Sequence, residues 1–121
     1  VTEEAYECNV EVTARGYGGE TSEESCRRAF VKGAVSFFHL KGGHVMLETC
    51  KPAFDRRDAV VLRLYETKGC AGETRLSLPR CVRRVFACNM LEEPGEELAL
   101  AQGKVRLRFG AFEIRTLLLV V

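Results

Sequence analysis

The sequence predicts an all-β fold, an antiparallel β-sandwich of about seven to nine strands, from three observations. Apolar side chains recur at every second position over much of the chain, which is the period of a half-buried strand. The alternating runs are short, and glycine, proline or charged turns separate them. With 121 residues and 46% apolar composition, the chain has the size and composition of one globular domain.

Alternation is clearest in residues 104–109, where Val105, Leu107 and Phe109 are predicted to point inward and three basic residues to point to water. Residues 60–65 alternate in the same way. Further strands are predicted at 34–41, 44–51, 73–78, 82–88 and 112–120.

The turns between these strands have distinct compositions. Gly42-Gly43 predicts a two-residue hairpin between its flanking strands, because glycine supplies the positive φ angles that tight hairpin turns require. Residues 55–58, Asp-Arg-Arg-Asp, predict a solvated charged hairpin turn. Paired glutamates are also expected on turns, namely Glu3-Glu4, Glu23-Glu24, Glu92-Glu93 and Glu96-Glu97.

The first third of the chain is less regular. Residues 6–12 alternate like a strand, and Thr21 with Glu24 has the spacing of a capping box that would open a short helix through Phe30. A loop or an edge strand fits the same residues equally well. We therefore expect a single domain over 1–121, with a less regular first segment at 1–33 and the core strands at 34–121.

Composition excludes several classes of partner. A net charge of +1 provides no field that would attract nucleic acid or an anionic membrane. The longest apolar run, 117–121, is too short to span a bilayer, and the N-terminus has no secretory signal. The chain starts at Val1 instead of a methionine, so we expect it to be a piece of a longer protein.

Six cysteines are compatible with disulfides, a metal site or free thiols. None forms a Cys-x-x-Cys pair, which argues against structural zinc, and nothing signals export to an oxidising compartment. Cys50 and Cys88 also lie inside apolar strand-like runs, where a thiol behaves as a small hydrophobic group. Reduced cysteines and a cytoplasmic location are therefore expected, with a secreted disulfide-linked module as the alternative.

A catalytic or metal-binding motif is not evident. Asp55 and Asp58 are the only aspartates, and His39 and His44 are the only histidines. Two histidines without a carboxylate at matching spacing do not predict a metal site. The sequence also has no nucleophile elbow and no phosphate-binding loop. Neither a catalytic residue nor a metal ligand is therefore predicted in this chain.

Three segments together resemble the C-terminal β-sandwich domain of the glycoside hydrolase family 38 (class II) α-mannosidases. They are residues 45–52 (VMLETCKP), 62–67 (LRLYET) and 112–117 (FEIRTL). Residues 4–9 and 89–93 resemble other parts of the same domain. The chain departs from the family pattern at Ala111, where the family has proline, and in the turn around residues 54–58.

The resemblance implies a non-catalytic scaffold domain that packs against an N-terminal catalytic domain of the same polypeptide. In that family, zinc and an aspartate nucleophile belong to the catalytic domain, so no cofactor is expected in this fragment. The parent enzyme would hydrolyse terminal α-mannosides with retention, and the fragment alone would be inactive. An independent carbohydrate-binding or protein-interaction module is the alternative, although a chain without tryptophan is poorly suited to binding sugars.

The charged residues of two motifs, Arg63, Glu66, Glu113 and Arg115, are the candidate site residues. Glu66 falls at the end of the core-facing row of its strand, where a carboxylate needs a partner because an unpaired buried charge is costly. One hypothesis is that these residues form structural charge pairs within the sandwich. The other is that some of them face the catalytic domain at the rim of its active site.

Overall fold

A computed structural model describes residues 36–121, and every regular element within that range is a β-strand. The eight described strands are β1 (His39–Lys41), β2 (Val45–Pro52), β3 (Ala59–Glu66), β4 (Gly72–Ser77), β5 (Arg84–Cys88), β6 (Pro94–Leu98), β7 (Lys104–Phe109) and β8 (Ile114–Val120).

These strands form two sheets, and every pairing within them is antiparallel. The smaller sheet has the order β1-β4-β7, and the larger has the order β2-β3-β8-β5-β6. The predicted antiparallel β-sandwich is therefore confirmed for the described part of the chain.

The main core lies between the two sheets. The larger sheet contributes Leu62, Leu64, Val85, Leu117 and Leu119, and the smaller contributes Leu76, Val105, Leu107 and Phe109. The residues from β7 are the three that alternation predicted to point inward, and each is at most 3% exposed. Removal of this apolar surface from water is the main driving force for folding.

The outer face of the larger sheet also contains buried residues. Val61 and Leu118 lie opposite each other on β3 and β8, and both are buried. They form a second, smaller cluster with Ala59, against which Phe86 and Cys88 pack. Glu92 in the turn between β5 and β6 bonds to Lys51 and to the backbone N–H of Phe54, so this turn reaches across the outer face. The larger sheet is therefore partly covered on both faces.

The predicted hairpin at Gly42-Gly43 is wrong, although both glycines have positive φ, +84° and +67°. β1 pairs with β4 and β2 pairs with β3, so the two glycines carry the chain from one sheet to the other. The crossing brings them against β4, where the Thr74 hydroxyl donates a hydrogen bond to the Gly42 carbonyl (2.9 Å). Glycine is needed here because the backbone is left-handed and close to a neighbouring strand.

Replacing Gly43 with Ala is expected to destabilise the fold by about 1–3 kcal/mol. A Cβ atom at Gly43 would lie 2.5 Å from Thr74 Oγ1, and its φ is unfavourable for alanine. Gly72→Ala is the matched control, since a Cβ at Gly72 meets nothing within 4 Å. Denaturant unfolding of both variants would measure the difference. Equal stability of the two variants would contradict the close approach at the crossing.

Strand β6 corrects a second prediction. The paired-glutamate pattern predicts a turn at Glu96-Glu97, but both residues lie in Pro94–Leu98, which pairs with β5 and is an edge strand among the described strands of the larger sheet. An edge strand tolerates proline and charged residues because one side is not paired and its side chains are exposed. Glu97 binds Arg84 on β5 through two hydrogen bonds of 2.8 Å.

Some predicted boundaries also differ from the structure. In the described part of the predicted strand 34–41, only His39–Lys41 is a strand. The strand predicted from 112 begins at Ile114, because Phe112 and Glu113 belong to the preceding turn. The charged turn at 55–58 does join a β2–β3 hairpin as predicted, and within it Arg56 binds Asp58 (2.8 Å).

The strand at 6–12 and the capping box at Thr21 and Glu24 lie outside the described residues. Residues Phe37–Val121 form one compact unit. The division into a less regular first segment (1–33) and core strands (34–121) stays a prediction. Within residues 36–121 there is no helix with the length and apolar character needed to cross a membrane.

The four cysteines in the described range are free thiols. Cys50, Cys70 and Cys81 are exposed, whereas Cys88 is partly buried against the smaller cluster of Ala59, Val61 and Leu118. The expectation that Cys50 behaves as a small buried hydrophobic group is therefore wrong, because β2 is an edge strand among the described strands of its sheet. Cys8 and Cys26 lie outside the described residues.

Alkylation of the native chain is expected to modify Cys70 and Cys81 first and Cys88 last among the four described thiols. Burial raises the pKa of Cys88, and the Glu92 carboxylate raises it further, while Arg63 partly offsets both. Thiols react as thiolates, so a raised pKa and reduced access both slow the reaction. Time-resolved peptide mass spectrometry with iodoacetamide would measure the order. Modification of Cys88 as fast as that of Cys70 would contradict its packing.

Candidate functional site

The two charged motifs meet in space at one end of the larger sheet. Glu66 is the last residue of β3, and Glu113 directly precedes β8, the neighbouring strand. The antiparallel register pairs Tyr65 with Ile114, and the next step of the ladder is a hydrogen bond from the Glu66 N–H to the Glu113 carbonyl (3.0 Å). The segments 62–67 and 112–117 therefore form one structural site.

The carboxylate of Glu66 accepts four backbone hydrogen bonds. The N–H of Lys68 donates to Oε1 (2.9 Å), and those of Gly69 (2.7 Å), Cys70 (3.2 Å) and Phe112 (3.0 Å) donate to Oε2. The residue is only 1% exposed. Glu66 thus ties the chain after β3 to the turn before β8, 46 residues further along the sequence.

The local backbone conformation aims these N–H groups at one carboxylate. The chain after β3 turns back on itself through Gly69, whose φ is +70°. Phe112 also has a positive φ, +55°, which is unusual for a residue with a side chain. Its ring lies over Gly69, where an added Cβ would come within 2.7 Å of two ring carbons. The position of the Phe112 ring therefore requires a residue without a side chain at position 69.

Glu113 and Arg115 form an ion pair beside Glu66. Arg115 Nε donates to Glu113 Oε1 (2.9 Å), and the Gly110 N–H donates to Glu113 Oε2 (2.6 Å). The Arg115 guanidinium also lies over the Phe109 ring, with its carbon 5.6 Å from the ring centre. Glu113 thus closes the turn between β7 and β8, while Arg115 links that turn to the end of the main core.

The electrostatics of this site favour ionised carboxylates. Burial alone would raise the pKa of Glu66, but the four N–H donors outweigh it and hold the pKa below its ordinary value. The Gly110 N–H, and after it Arg115, lowers the pKa of Glu113 despite some burial. A general acid requires a carboxyl that keeps its proton near neutral pH, and these two do not. The arrangement can anchor turns, but it offers no acid for glycoside cleavage.

Arg63 lies on the opposite face of the larger sheet from Glu66. Its neighbours across the strands are Thr49 on β2 and Thr116 on β8. Its Nε is buried and has no hydrogen-bond partner among the described residues. The structure therefore brings Glu66, Glu113 and Arg115 together and leaves Arg63 apart from them. The partners of Glu66 are backbone N–H groups, and Arg115 binds the neighbouring Glu113.

Sequence reasoning missed the role of Glu92, because paired glutamates suggest a solvated turn. Glu92 bonds to Lys51 and to the Phe54 N–H, so it connects the β5–β6 turn to the β2–β3 hairpin. The Lys51 hydrogen bond is the largest of the effects that lower the pKa of Glu92, and Arg63 contributes a smaller one. The available signal was Asn89, whose side-chain oxygen accepts the N–H of Leu91 (2.9 Å) and of Glu93 (3.1 Å). An asparagine whose side-chain oxygen accepts hydrogen bonds from the backbone N–H groups that follow it is typical of an ordered turn.

No group of three or more histidine, cysteine, aspartate or glutamate side chains in residues 36–121 is arranged to hold a metal ion. His39 and His44 are both exposed, on either side of the Gly42-Gly43 crossing. The described residues therefore do not fit zinc.

Comparison with known proteins agrees with this architecture. Residues 44–117 match the family described as glycosyl hydrolases family 38 C-terminal beta sandwich domain. Over 90 residues, the chain is 36% identical to the human protein "Alpha-mannosidase 2C1" and 34% identical to the mouse protein of that name. The alignments cover 71% of this chain and 9% of each relative, so the chain spans less than a tenth of their length. Both the matched segment and these identities show that the chain belongs to the family of glycosyl hydrolase family 38 C-terminal β-sandwich domains.

Proposed function

We propose that this chain is a non-catalytic domain of a zinc-dependent, retaining α-mannosidase, in which it acts as a scaffold for the catalytic domain. The observation that carries the proposal is that the Glu66 carboxylate is bound by the protein backbone. The most buried carboxylate of the charged motifs is fully occupied by backbone N–H groups, so it holds the fold instead of meeting a substrate. The names of the relatives support α-mannosides as substrates of the whole enzyme.

Zinc and the nucleophile are assigned by this proposal to another part of the parent polypeptide. The resemblance to the family supports that assignment, and the lack of a fitting ligand set within residues 36–121 is compatible with it. A retaining glycosidase needs two carboxyl groups about 5–5.5 Å apart, one as nucleophile and one as acid/base. Glu66 and Glu113 are unsuited to the acid role, because both have a lowered pKa.

The surface proposed to meet the catalytic domain is the outer face of the larger sheet. Four exposed apolar side chains lie on or beside it, and we call them the outer-face patch: Phe54, Met90, Leu91 and Ile114. Phe54 and Leu91 line one cavity of about 150 Å³ with Leu118, and Met90 contacts the Thr116 hydroxyl through its sulfur (3.8 Å). Arg63, whose buried Nε has no hydrogen-bond partner among the described residues, lies on the same face. Exposed apolar groups around a polar group that lacks a partner are typical of an interaction surface.

The first experiment assays the 121-residue chain and the parent enzyme with an aryl α-mannoside, with and without added zinc. We expect turnover by the parent enzyme and none by the chain. The chain must give the thermal melt of a folded domain in the same buffer. Metal-dependent turnover by the purified chain would contradict the non-catalytic role.

The second experiment tests the scaffold role with the double variant Phe54→Ser/Leu91→Ser in the parent polypeptide. Both side chains are exposed, at 89% and 78%, so the melting temperature of the isolated chain should hardly change. In the parent, we expect lower activity and faster proteolytic release of the domain, because the interface loses its apolar contacts. Phe37→Ser is the matched control, since Phe37 is similarly exposed but lies before β1 of the smaller sheet. Equal behaviour of the double variant and the control would contradict docking through the outer-face patch.

A further inference from the structure

The outer face of the smaller sheet carries an excess of positive charge. Its three strands contain five lysines and arginines, namely Lys41, Arg75, Lys104, Arg106 and Arg108, against one acid, Glu73. All of residues 36–121 contain fourteen lysines and arginines against ten aspartates and glutamates, an excess of four. The smaller sheet alone has the same excess of four, so the net charge of the described part of the chain is concentrated on one face.

The register places like charges directly opposite each other. Lys41 pairs with Arg75, and Arg75 pairs with Arg106, which gives a row of three cations across all three strands. Like charges in such pairs destabilise a sheet. The only acid on these strands, Glu73, lies opposite Arg108 at an N–O distance of 4.0 Å, and the row of three has no ion pair within the described residues. The fold therefore tolerates a repulsion that neutral side chains would avoid.

A cleft of about 340 Å³ adjoins this row. Three basic residues line it, namely Arg75, Lys104 and Arg106. Gln102 and the apolar residues Leu98 and Ala101 line it as well. The two backbone hydrogen bonds between Ala101 and Lys104 (2.9 and 3.0 Å) close a tight turn that fixes the start of β7. The volume is within the range of small-molecule sites, which combine an apolar wall with a few placed polar groups.

We propose that this cleft binds a small molecule that carries a phosphate or sulfate group. Two arginines on adjacent strands present planar donor pairs that match the oxygens of a tetrahedral oxyanion, and the lysine adds a point charge. The bound anion would neutralise the repulsion within the row of cations. Leu98 and Ala101 would contact the apolar part of the ligand.

The test uses inorganic phosphate and, separately, inorganic sulfate as probes in a titration of the 121-residue chain followed by NMR. We expect saturable shifts of the backbone signals of Arg75, Gln102, Lys104 and Arg106, in excess of those caused by chloride at equal ionic strength. Arg75→Gln and Arg106→Gln should each weaken the affinity about tenfold, which is the effect of losing one charge-assisted contact. Arg57→Gln, which removes an exposed arginine from the β2–β3 turn, should bind like the native chain.

Thermal melts supply an independent readout. Without phosphate and at low salt, Arg75→Gln should raise the melting temperature, because it removes repulsion from both neighbours. Added phosphate should stabilise the native chain more than this variant. A variant that binds phosphate as the native chain does, or shifts that chloride reproduces, would overturn the proposal. Binding of poly-glutamate with no saturable response to phosphate or sulfate would also overturn it, and would indicate that the face docks to an acidic protein.

Discussion

Replacing Glu66 with Gln is expected to lower the melting temperature of the chain at pH 7 by on the order of 10 °C. The substitution keeps the shape of the side chain but removes its charge and one of its two acceptor oxygens. If the amide oxygen faces Gly69, Cys70 and Phe112, its NH₂ group faces the N–H of Lys68, so at least one buried donor loses its partner. The remaining hydrogen bonds are weaker because the acceptor is neutral.

The pH dependence of the same variant distinguishes a charge effect from a packing effect. The folded pKa of Glu66 is below its ordinary value of 4.5, so its contribution to stability is present above pH 4.5 and is lost as pH falls through the folded pKa. The melting temperatures of the native chain and of Glu66→Gln should therefore converge in acid. The native chain has further carboxylates with a lowered pKa, at Asp58, Glu92, Glu97 and Glu113, so the variant should still lose some stability in acid.

Glu97→Gln is the matched control for Glu66→Gln. It removes the same charge from an exposed ion pair with Arg84, and exposed pairs contribute little to stability. Melts of both variants between pH 7 and pH 3 would measure the contrast. A similar loss in the two variants, or a difference between native chain and Glu66→Gln that grows in acid, would contradict the anchoring role of Glu66.

Replacing Leu117 with Ala is expected to destabilise the domain by about 2–5 kcal/mol. Leu117 is fully buried on the central strand β8 and packs in the main core, so truncation leaves a cavity that neighbouring strands can fill only in part. Small domains have a total stability of about 5–15 kcal/mol, so this loss is a large share of it.

Ile114→Ala on the same strand is the control, because Ile114 is 53% exposed and lies on the outer face. It should lower the free energy of unfolding by about 1 kcal/mol or less, which is well below the loss expected at Leu117. A slip of β8 by one residue would exchange the two faces of the strand. Denaturant unfolding of the two variants therefore tests the register as well as the core, and equal losses would contradict the pairing of β3 with β8.

The sequence predicted the parts of the fold that depend on local alternation. In β7, every second residue is buried, so the period of two identified Val105, Leu107 and Phe109 directly. The position of Glu66 at the end of a core-facing row followed from the same argument, and the structure confirms its burial. The hydrogen bond from Phe112 did not follow, because its donor lies 46 residues away and depends on a turn with a positive φ at a non-glycine residue.

The errors in strand pairing arise because a local pattern does not show which segment a strand will pair with. Gly42-Gly43 has the local signature of a hairpin, but the strands on either side of it find better partners elsewhere, in β4 and β3. β6 has no alternating pattern, and its pairing with β5 depends on the turn built by Asn89. Alternation puts Val61 on the outer face, but it is buried there with Ala59 and Leu118, against which Ala53, Phe86 and Cys88 pack.

The edge strands of the two sheets affect whether copies of the chain aggregate at high concentration. An exposed strand edge is a template for pairing with another molecule, and it leads to aggregation unless something prevents it. In the described part of the chain, β2 has a register shift between Leu47 and Thr49 and ends at Pro52, and β6 begins at Pro94 and carries two glutamates. β1 has only three residues, and β7 presents three cations that would repel those of a second copy. Each edge strand in the described part of the chain thus has a feature that disfavours continuous sheet growth, so we expect copies of this sandwich to stay dispersed as single molecules.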